Sequence, residues 1–205
     1  MLQDFIASIE QQGLRVRGIE VYQRGQKVAE HRWEADLRYS VHSVSKSFTS
    51  AAVGIAVGEG LLDVTERVVD IFPECVPEQD MPYLNELTVW HLLTMTTGHT
   101  ENALFDPESG IQEDDGVRHF MQVPLSKKPG SYYYYDNCAS YVLSSIVTKR
   151  TGLSVRDYLM PRFFTPLGIE NPAWQICPKG RNLGFTGLYL KTSEIAKLGL
   201  VYLNG

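Results

Sequence analysis

Ser43 and Lys46, in the stretch Tyr39-Ser-Val-His-Ser-Val-Ser-Lys-Ser-Phe-Thr49, are three residues apart and meet on one face if the segment is helical. A helix starting at Ser43 would also place the hydroxyl at the positive end of the macrodipole, where a developing alkoxide or oxyanion is stabilised. The spacing alone is weak. About half a Ser-x-x-Lys is expected by chance in a chain of this composition, and an N-capping serine followed by a solvated lysine is the ordinary alternative. Such a nucleophile needs a second group to move protons, and a Tyr-x-Asn supplies a phenol and an amide on one side of a loop. Tyr83-Leu-Asn85 lies in a Pro-flanked connector and Tyr202-Leu-Asn204 at a helix end. Tyr135-Asp136-Asn137 follows Pro129-Gly130 and a run of tyrosines and immediately precedes a helix, where a turn can aim both side chains into a cleft. A tyrosine-rich core edge is the alternative there.

Other chemistries lack their residues. No Gly-x-Ser-x-Gly elbow occurs, and Gly152-Leu-Ser154-Val-Arg156 fails at its last position. His31, His42, His91, His99 and His119 have no metal-binding spacing and are read as structural. No glycine cluster, Gly58-Glu-Gly60 included, completes a dinucleotide or phosphate loop, so no cofactor is implied.

The chain of 205 residues has 43% hydrophobic and 21% charged residues, an ordinary globular composition that can bury a sizeable core. Its net charge of -5 offers no basic stripe for phosphate backbones, which argues against a nucleic-acid partner. Cys75, Cys138 and Cys177 leave at least one thiol unpaired and suggest a reducing compartment. The amino end lacks the basic region and apolar core of a signal peptide, and Ala51 to Val57 is too short to cross a bilayer. A cytoplasmic location without a membrane segment is the expectation.

The elements that must position the candidate residues are mostly helical. Apolar residues at 2, 5, 6 and 9 predict a short amphipathic helix, and two strands, Val16–Tyr22 and Lys27–Trp33, flank an Arg24-Gly25 turn. A helix from Ser43 to Gly58 follows, in which Ala51, Ala52, Gly54 and Ala56 let neighbours approach and Gly54-x-x-x-Gly58 reflects close helix packing. Residues 61–74 form a connector with one helical turn, and Thr88–Met95 another helix. Thr100 to Asp115, with its acidic run Glu113-Asp114-Asp115, reads as a surface loop. Helices are predicted over Cys138–Arg150 and Ser154–Phe164, a strand over Gly184–Leu190, and a last helix to Leu203 capped by Thr192-Ser193.

With these residues in view, the chain resembles the serine beta-lactamase and D,D-peptidase superfamily, in its class C-like branch with esterases and amide hydrolases. Ser43 to Thr49 resembles the nucleophile segment, and His91-Leu-Leu-Thr-Met-Thr-Thr-Gly98 a segment seen in many members. Pro129-Gly130 to Asn137 resembles the second motif, Pro166-Leu-Gly168 a following signature, and Gly187 to Gly205 the stretch before the third motif. The resemblance implies an α+β fold: an antiparallel sheet flanked by helices, joined to a mostly helical region, with the active site between them. Residues 1–50 would carry the amino-terminal helix, the hairpin and the start of the nucleophile helix, residues 51–170 the helical region, and residues 171–205 the return segment.

The resemblance further implies acyl transfer on an amide or ester. Ser43 would be the nucleophile, Lys46 and Tyr135 would share its proton, and Asn137 would bind the substrate amide or support Lys46. Tyr and Lys both titrate near 10 in isolation, so each needs a perturbing partner to act at neutral pH. The family's third motif, a Lys or His followed by a small residue and Gly, is absent. Lys191-Thr192-Ser193 resembles it but reads as helix capping. The expectation is therefore a fragment whose carboxyl-terminal strands are missing. It would be impaired by loss of an oxyanion donor worth about 100 to 1,000-fold, with a sheet edge free for self-association. The alternative is a non-catalytic module that binds a peptide or small molecule on the same fold.

Overall fold

The computed structural model describes residues 2–100 and 116–204. The predicted acidic surface loop, after Thr100, lies outside the described residues. Helix α1 (Gln3–Gln11) turns Ile9 inward and leads to strands β1 (Gly18–Gln23) and β2 (Gln26–Arg32). These pair antiparallel from Gly18↔Arg32 to Gln23↔Gln26, with a bulge at Val21/Tyr22. Arg24 and Gly25 both have positive φ, 52° and 78°, the conformation whose twist suits a two-residue hairpin turn. Strand β3 (Tyr39–Ser40) pairs instead with the distant β4 (Tyr189–Leu190), so the hairpin and the second pair are separate two-stranded pieces.

The core lies among the helices. Helix α2 (Ser45–Gly58) buries Phe48, Thr49, Ala52, Val53 and Ala56, a stripe at helical spacing. It packs on α6 (Asn137–Thr151), whose residues from Cys138 to Val147 are all buried. Phe48 stacks on Phe164 at 5.7 Å and meets Phe163 edge-on at 5.8 Å. Each such buried aromatic contributes about 1.5–3 kcal/mol through the apolar surface it removes from water. The polar side chains inside α6 are satisfied: Ser144 donates to the Asn182 carbonyl at 2.7 Å and Ser145 to the Tyr141 carbonyl at 2.9 Å.

Around this pair sit α3 (Val68–Ile71), α4 (Val89–Leu93) and α5 (Gly116–Gln122). Thr88 and His91 form a reciprocal capping box at the start of α4. Gly152 closes α6 in the left-handed conformation, with φ of 72°. Helix α7 (Val155–Leu159) is capped by Ser154, and helix α8 (Thr192–Asn204) lies against β1. Among the described residues no helix is long and apolar enough to cross a membrane.

Four expectations are corrected. Gly54 and Gly58 face open space, so the small residues that let α2 approach α6 are Ala52 and Ala56. The predicted 154–164 helix becomes α7 followed by a π-helical turn, Met160–Phe164, because Pro161 has no N–H to continue the α ladder. Of the predicted strand 184–190 only Tyr189–Leu190 is strand; the rest is fixed by side-chain and isolated-bridge contacts. Thr192 and Ser193 do not cap α8 themselves. The carboxylate of Asp36 accepts from the Thr192 N–H at 3.0 Å and the Ser193 hydroxyl at 2.6 Å, and Glu194 accepts from the Lys191 N–H at 2.9 Å.

Candidate active site

The chain leaves β3 and reverses sharply. Val41 donates its N–H to the Leu188 carbonyl at 2.8 Å, His42 takes a positive φ of 45°, and residues His42–Val44 form a 3-10 turn that runs into α2. A non-glycine residue held left-handed costs about 1–2 kcal/mol. Ser43 therefore sits inside this turn, two residues before the first residue of α2, and not at the start of the α-helix as the spacing predicts. Leu188 brackets it from both sides: its carbonyl holds Val41, and its N–H donates to the Ser45 hydroxyl at 3.3 Å. Ser45 is fully buried by that contact, whereas Ser43 is exposed.

Lys46, in the first turn of α2, joins the two halves of the site. Its ammonium donates to Ser43 Oγ at 3.2 Å, to Asn137 Oδ1 at 2.7 Å and to the Phe185 carbonyl at 3.2 Å. An ammonium carries three donors, so these acceptors and the Tyr135 phenol share them. The Phe185 carbonyl is a partner that no motif announces, because any residue type presents the same oxygen. It is set by Gly184, whose φ is 75° and whose missing Cβ would lie 2.5 Å from the Ser140 carbonyl oxygen. The Thr49 hydroxyl also donates to the Gly184 carbonyl at 2.8 Å.

Tyr135 completes the cluster. Its ring lies 4.7 Å from the Lys46 ammonium. Partial burial pushes the phenol pKa upward, but hydrogen bonding to Ser43 and Lys46 and the ammonium charge outweigh it, so the phenol titrates below its ordinary value of 10. Asp136, between Tyr135 and Asn137, caps α6 by accepting the Cys138 N–H at 2.7 Å. The turn before it is tied to the segment after α4, with Tyr134 donating to the Met95 carbonyl at 3.0 Å and Gly130 to that of Thr96 at 2.8 Å. Ser43, Lys46, Tyr135 and Asn137 are thus brought together around the ammonium. Tyr83 instead precedes a 3-10 turn, Leu84–Glu86, and Tyr202 lies in the last turn of α8.

A groove of about 360 Å³ runs between the segment before β1, β3 and the start of α8, lined by Arg17, Leu37, Tyr39, His42, Leu190 and Thr192 among others; Ser43, Lys46, Tyr135 and Asn137 do not line it. Among the described residues no group of three or more His, Cys, Asp or Glu is placed to hold a metal ion. An exposed hydroxyl held by an ammonium and faced by an acidified phenol is suited to nucleophilic attack with local proton transfer.

Comparison with known proteins gives a family by sequence and a shared fold by structure. A beta-lactamase of Escherichia coli K12 is 26% identical over 151 residues, covering 74% of this chain and 38% of that protein. A D-aminopeptidase of Brucella anthropi is 29% identical over 185 residues, covering 82% and 35%. An octameric penicillin-binding protein homologue from Pyrococcus abyssi superposes with a TM-score of 0.74 at 21% identity, over 99% of this chain and 56% of that one. A putative 6-aminohexanoate-dimer hydrolase from Bacillus anthracis gives 0.78 at 17%, over 97% and 56%. The chain thus spans well under half the length of these curated relatives. The family profile described as Beta-lactamase matches residues 5–192, and the chain belongs to the beta-lactamase family.

Proposed function

We propose that the protein is a serine hydrolase that forms an acyl-enzyme at Ser43 with an amide or ester. The observation that carries this is the Lys46 ammonium, bonded at once to the Ser43 hydroxyl and to Asn137. With its three donors engaged, Lys46 acts as a fixed cation, and Tyr135, its pKa lowered, is the group that takes the proton. Ser43 Oγ bonds to the substrate carbonyl carbon as its proton passes to the Tyr135 phenolate. The phenol then protonates the departing amine or alkoxide as the acyl bond to it breaks. Water later releases the acyl group. Asn137 Oδ1 is occupied by Lys46, which leaves its amide N–H groups to donate to a substrate carbonyl.

In this scheme residues 1–50 and 171–205 form one wall of the cleft and residues 51–170 the other. Thr192 and Ser193, at the start of α8, are bound to Asp36, which supports reading Lys191-Thr192-Ser193 as a helix start and not as the third motif. Acylation of Ser43 is the step that the remaining groups support. The names of the relatives, beta-lactamase and D-aminopeptidase, favour an amide substrate. Self-association through the outer edge of β1 belongs to the same proposal, since β1 pairs only with β2 among the described residues.

Labelling tests it. A fluorophosphonate or a fluorescent penicillin should modify Ser43, and Ser43→Ala should abolish the adduct while Ser45→Ala, if folded, retains it. Ligand binding without any serine adduct would replace the enzyme by the binding module.

A further inference from the structure

Behind the Tyr135–Asn137 turn lies a buried polar cluster that the proposed chemistry does not use. His99 is 4% exposed and Asp136 2% exposed, with Nδ1 of the imidazole 3.9 Å from one carboxylate oxygen of Asp136. Thr97, itself buried, places its hydroxyl 3.1 Å from the same nitrogen. On the other side Nε2 donates to the Val123 carbonyl at 3.3 Å, which leaves Nδ1 to accept from Thr97. The ring meets Phe120 of α5 edge-on at 4.8 Å. Gly98, before it, has φ of 99° and room for no side chain, since a Cβ would lie 2.2 Å from the Lys127 carbonyl oxygen. His99 is therefore fixed from its own segment, from α5 and from the loop after α5.

Helix capping explains only half of Asp136. One oxygen caps α6, a task that Asn or Ser performs equally well without burying a charge. The other oxygen faces His99. The residues on either side of Asp136 are Tyr135 and Asn137, whose side chains both meet Lys46. We propose that Thr97 and His99 are positioning residues that wall in the Asp136 carboxylate and thereby set the distance of Tyr135 and Asn137 from Lys46 and Ser43. The consequence for catalysis rests on the acyl-enzyme proposal; the positioning itself does not.

The test is the titration of Tyr135 in the 205-residue chain, read by NMR of ζ-carbon-labelled tyrosine and assigned with Tyr135→Phe. His99→Ala and Asp136→Ala should move the Tyr135 pKa up toward 10, because the phenol drifts from the ammonium that acidifies it. Losing the carboxylate charge alone would move it down, so the sign separates displacement from electrostatics. Asp136→Asn, which keeps the capping oxygen, should leave it at or below the parent value. Where Ser43 is labelled, His99→Ala should slow labelling by about 10 to 100-fold, as expected for a misplacement of about 1 Å or less. If an alanine variant does not fold, His99→Gln and Thr97→Val carry the same test, since each removes the hydroxyl–imidazole contact and fills the space. A Tyr135 pKa unchanged in folded His99→Ala and Asp136→Ala overturns the positioning role. A Ser43 that resists labelling while Tyr135 responds to those variants overturns the enzyme and leaves the positioning standing.

Discussion

Lys46 Nζ and Asn137 Oδ1 lie 2.7 Å apart, across 91 residues of sequence, and their bond ties the first turn of α2 directly to the start of α6. Such a charge-assisted bond is worth about 1.5–3 kcal/mol, enough to hold two elements in register at their ends. It also places a positive charge beside the Ser43 hydroxyl and the Tyr135 phenol, the groups proposed to lose and to receive the proton.

Replacing Lys46 should therefore change a pH profile and not only a rate. In the parent, the rate of Ser43 acylation should rise with pH through the Tyr135 pKa, which sits below 10. Partial burial raises that pKa, and Lys46→Met removes the ammonium's hydrogen bond and charge that lower it while the hydrogen bond to Ser43 remains. The rising limb should move to higher pH, and acylation at neutral pH should fall at least about 100-fold. The same titration has a stability counterpart: a lowered folded pKa favours the fold above the unfolded value and loses that contribution as pH falls through the folded value. Fluorophosphonate labelling rates between neutral and alkaline pH decide it, and an unshifted limb in Lys46→Met would exclude Tyr135 as the base.

Gly184→Ala should damage the site from outside it. The added Cβ would meet the Ser140 carbonyl oxygen at 2.5 Å and Ser144 Cβ at 2.9 Å, at a φ of 75° that alanine resists. The strain costs about 1–3 kcal/mol, and relieving it must shift the carbonyl of Phe185 away from Lys46. A lower Tm together with slower Ser43 labelling below that Tm is expected. A lower Tm with the labelling rate intact would show that the Phe185 carbonyl is dispensable.

The sequence was legible where chemistry and local conformation coincide. Arg24-Gly25 marks its turn and Thr88 its helix start because each performs its task with its own side chain or its own φ. Context alone singled out Ser43, Lys46, Tyr135 and Asn137 as a set, and their side chains do cluster around one ammonium. The partners that complete the site could not be singled out in this way. The Phe185 carbonyl, the Leu188 backbone around Ser43 and the Asp36 cap of α8 are contacts between segments far apart in sequence, and they depend on position more than on residue type. Gly54 and Gly58 misled for a related reason: small residues allow close approach, but which face of α2 is approached is set by where Phe48, Ala52 and Ala56 point.

Arg38→Met should destabilise the chain by about 3 kcal/mol or more. Glu194, 6% exposed, accepts from Arg38 at 2.6 and 3.0 Å, and removing the guanidinium strands a buried carboxylate. Burial pushes the Glu194 pKa up, but the bonds from Arg38 and the Lys191 N–H bring it below its ordinary value. Its stabilising contribution is thus present above the unfolded pKa near 4.5 and lost as pH falls through the folded one. Arg38→Met combined with Glu194→Gln should recover part of the loss in a urea melt at neutral pH. If the double variant is no more stable than Arg38→Met, the cost does not arise from the stranded charge.

Self-association is the last expectation open to measurement. A two-stranded hairpin is marginal alone, and among the described residues β1 has no strand partner besides β2, although the Ile19 carbonyl already accepts from Arg32 at 3.1 Å. A second copy presents a matching strand at every encounter, and pairing about a two-fold axis would let two β1 edges satisfy each other. Sedimentation velocity over a concentration series should show a dimer or larger species that gains population with concentration. Ile19→Lys, which puts a charge on that strand, should return the chain to monomer while leaving Ser43 labelling unchanged, because Ile19 lies on the hairpin and is none of the groups proposed to act on the substrate. A chain that stays monomeric at the highest concentration, or an Ile19→Lys variant that assembles like the parent, would rule out the β1 edge as the interface.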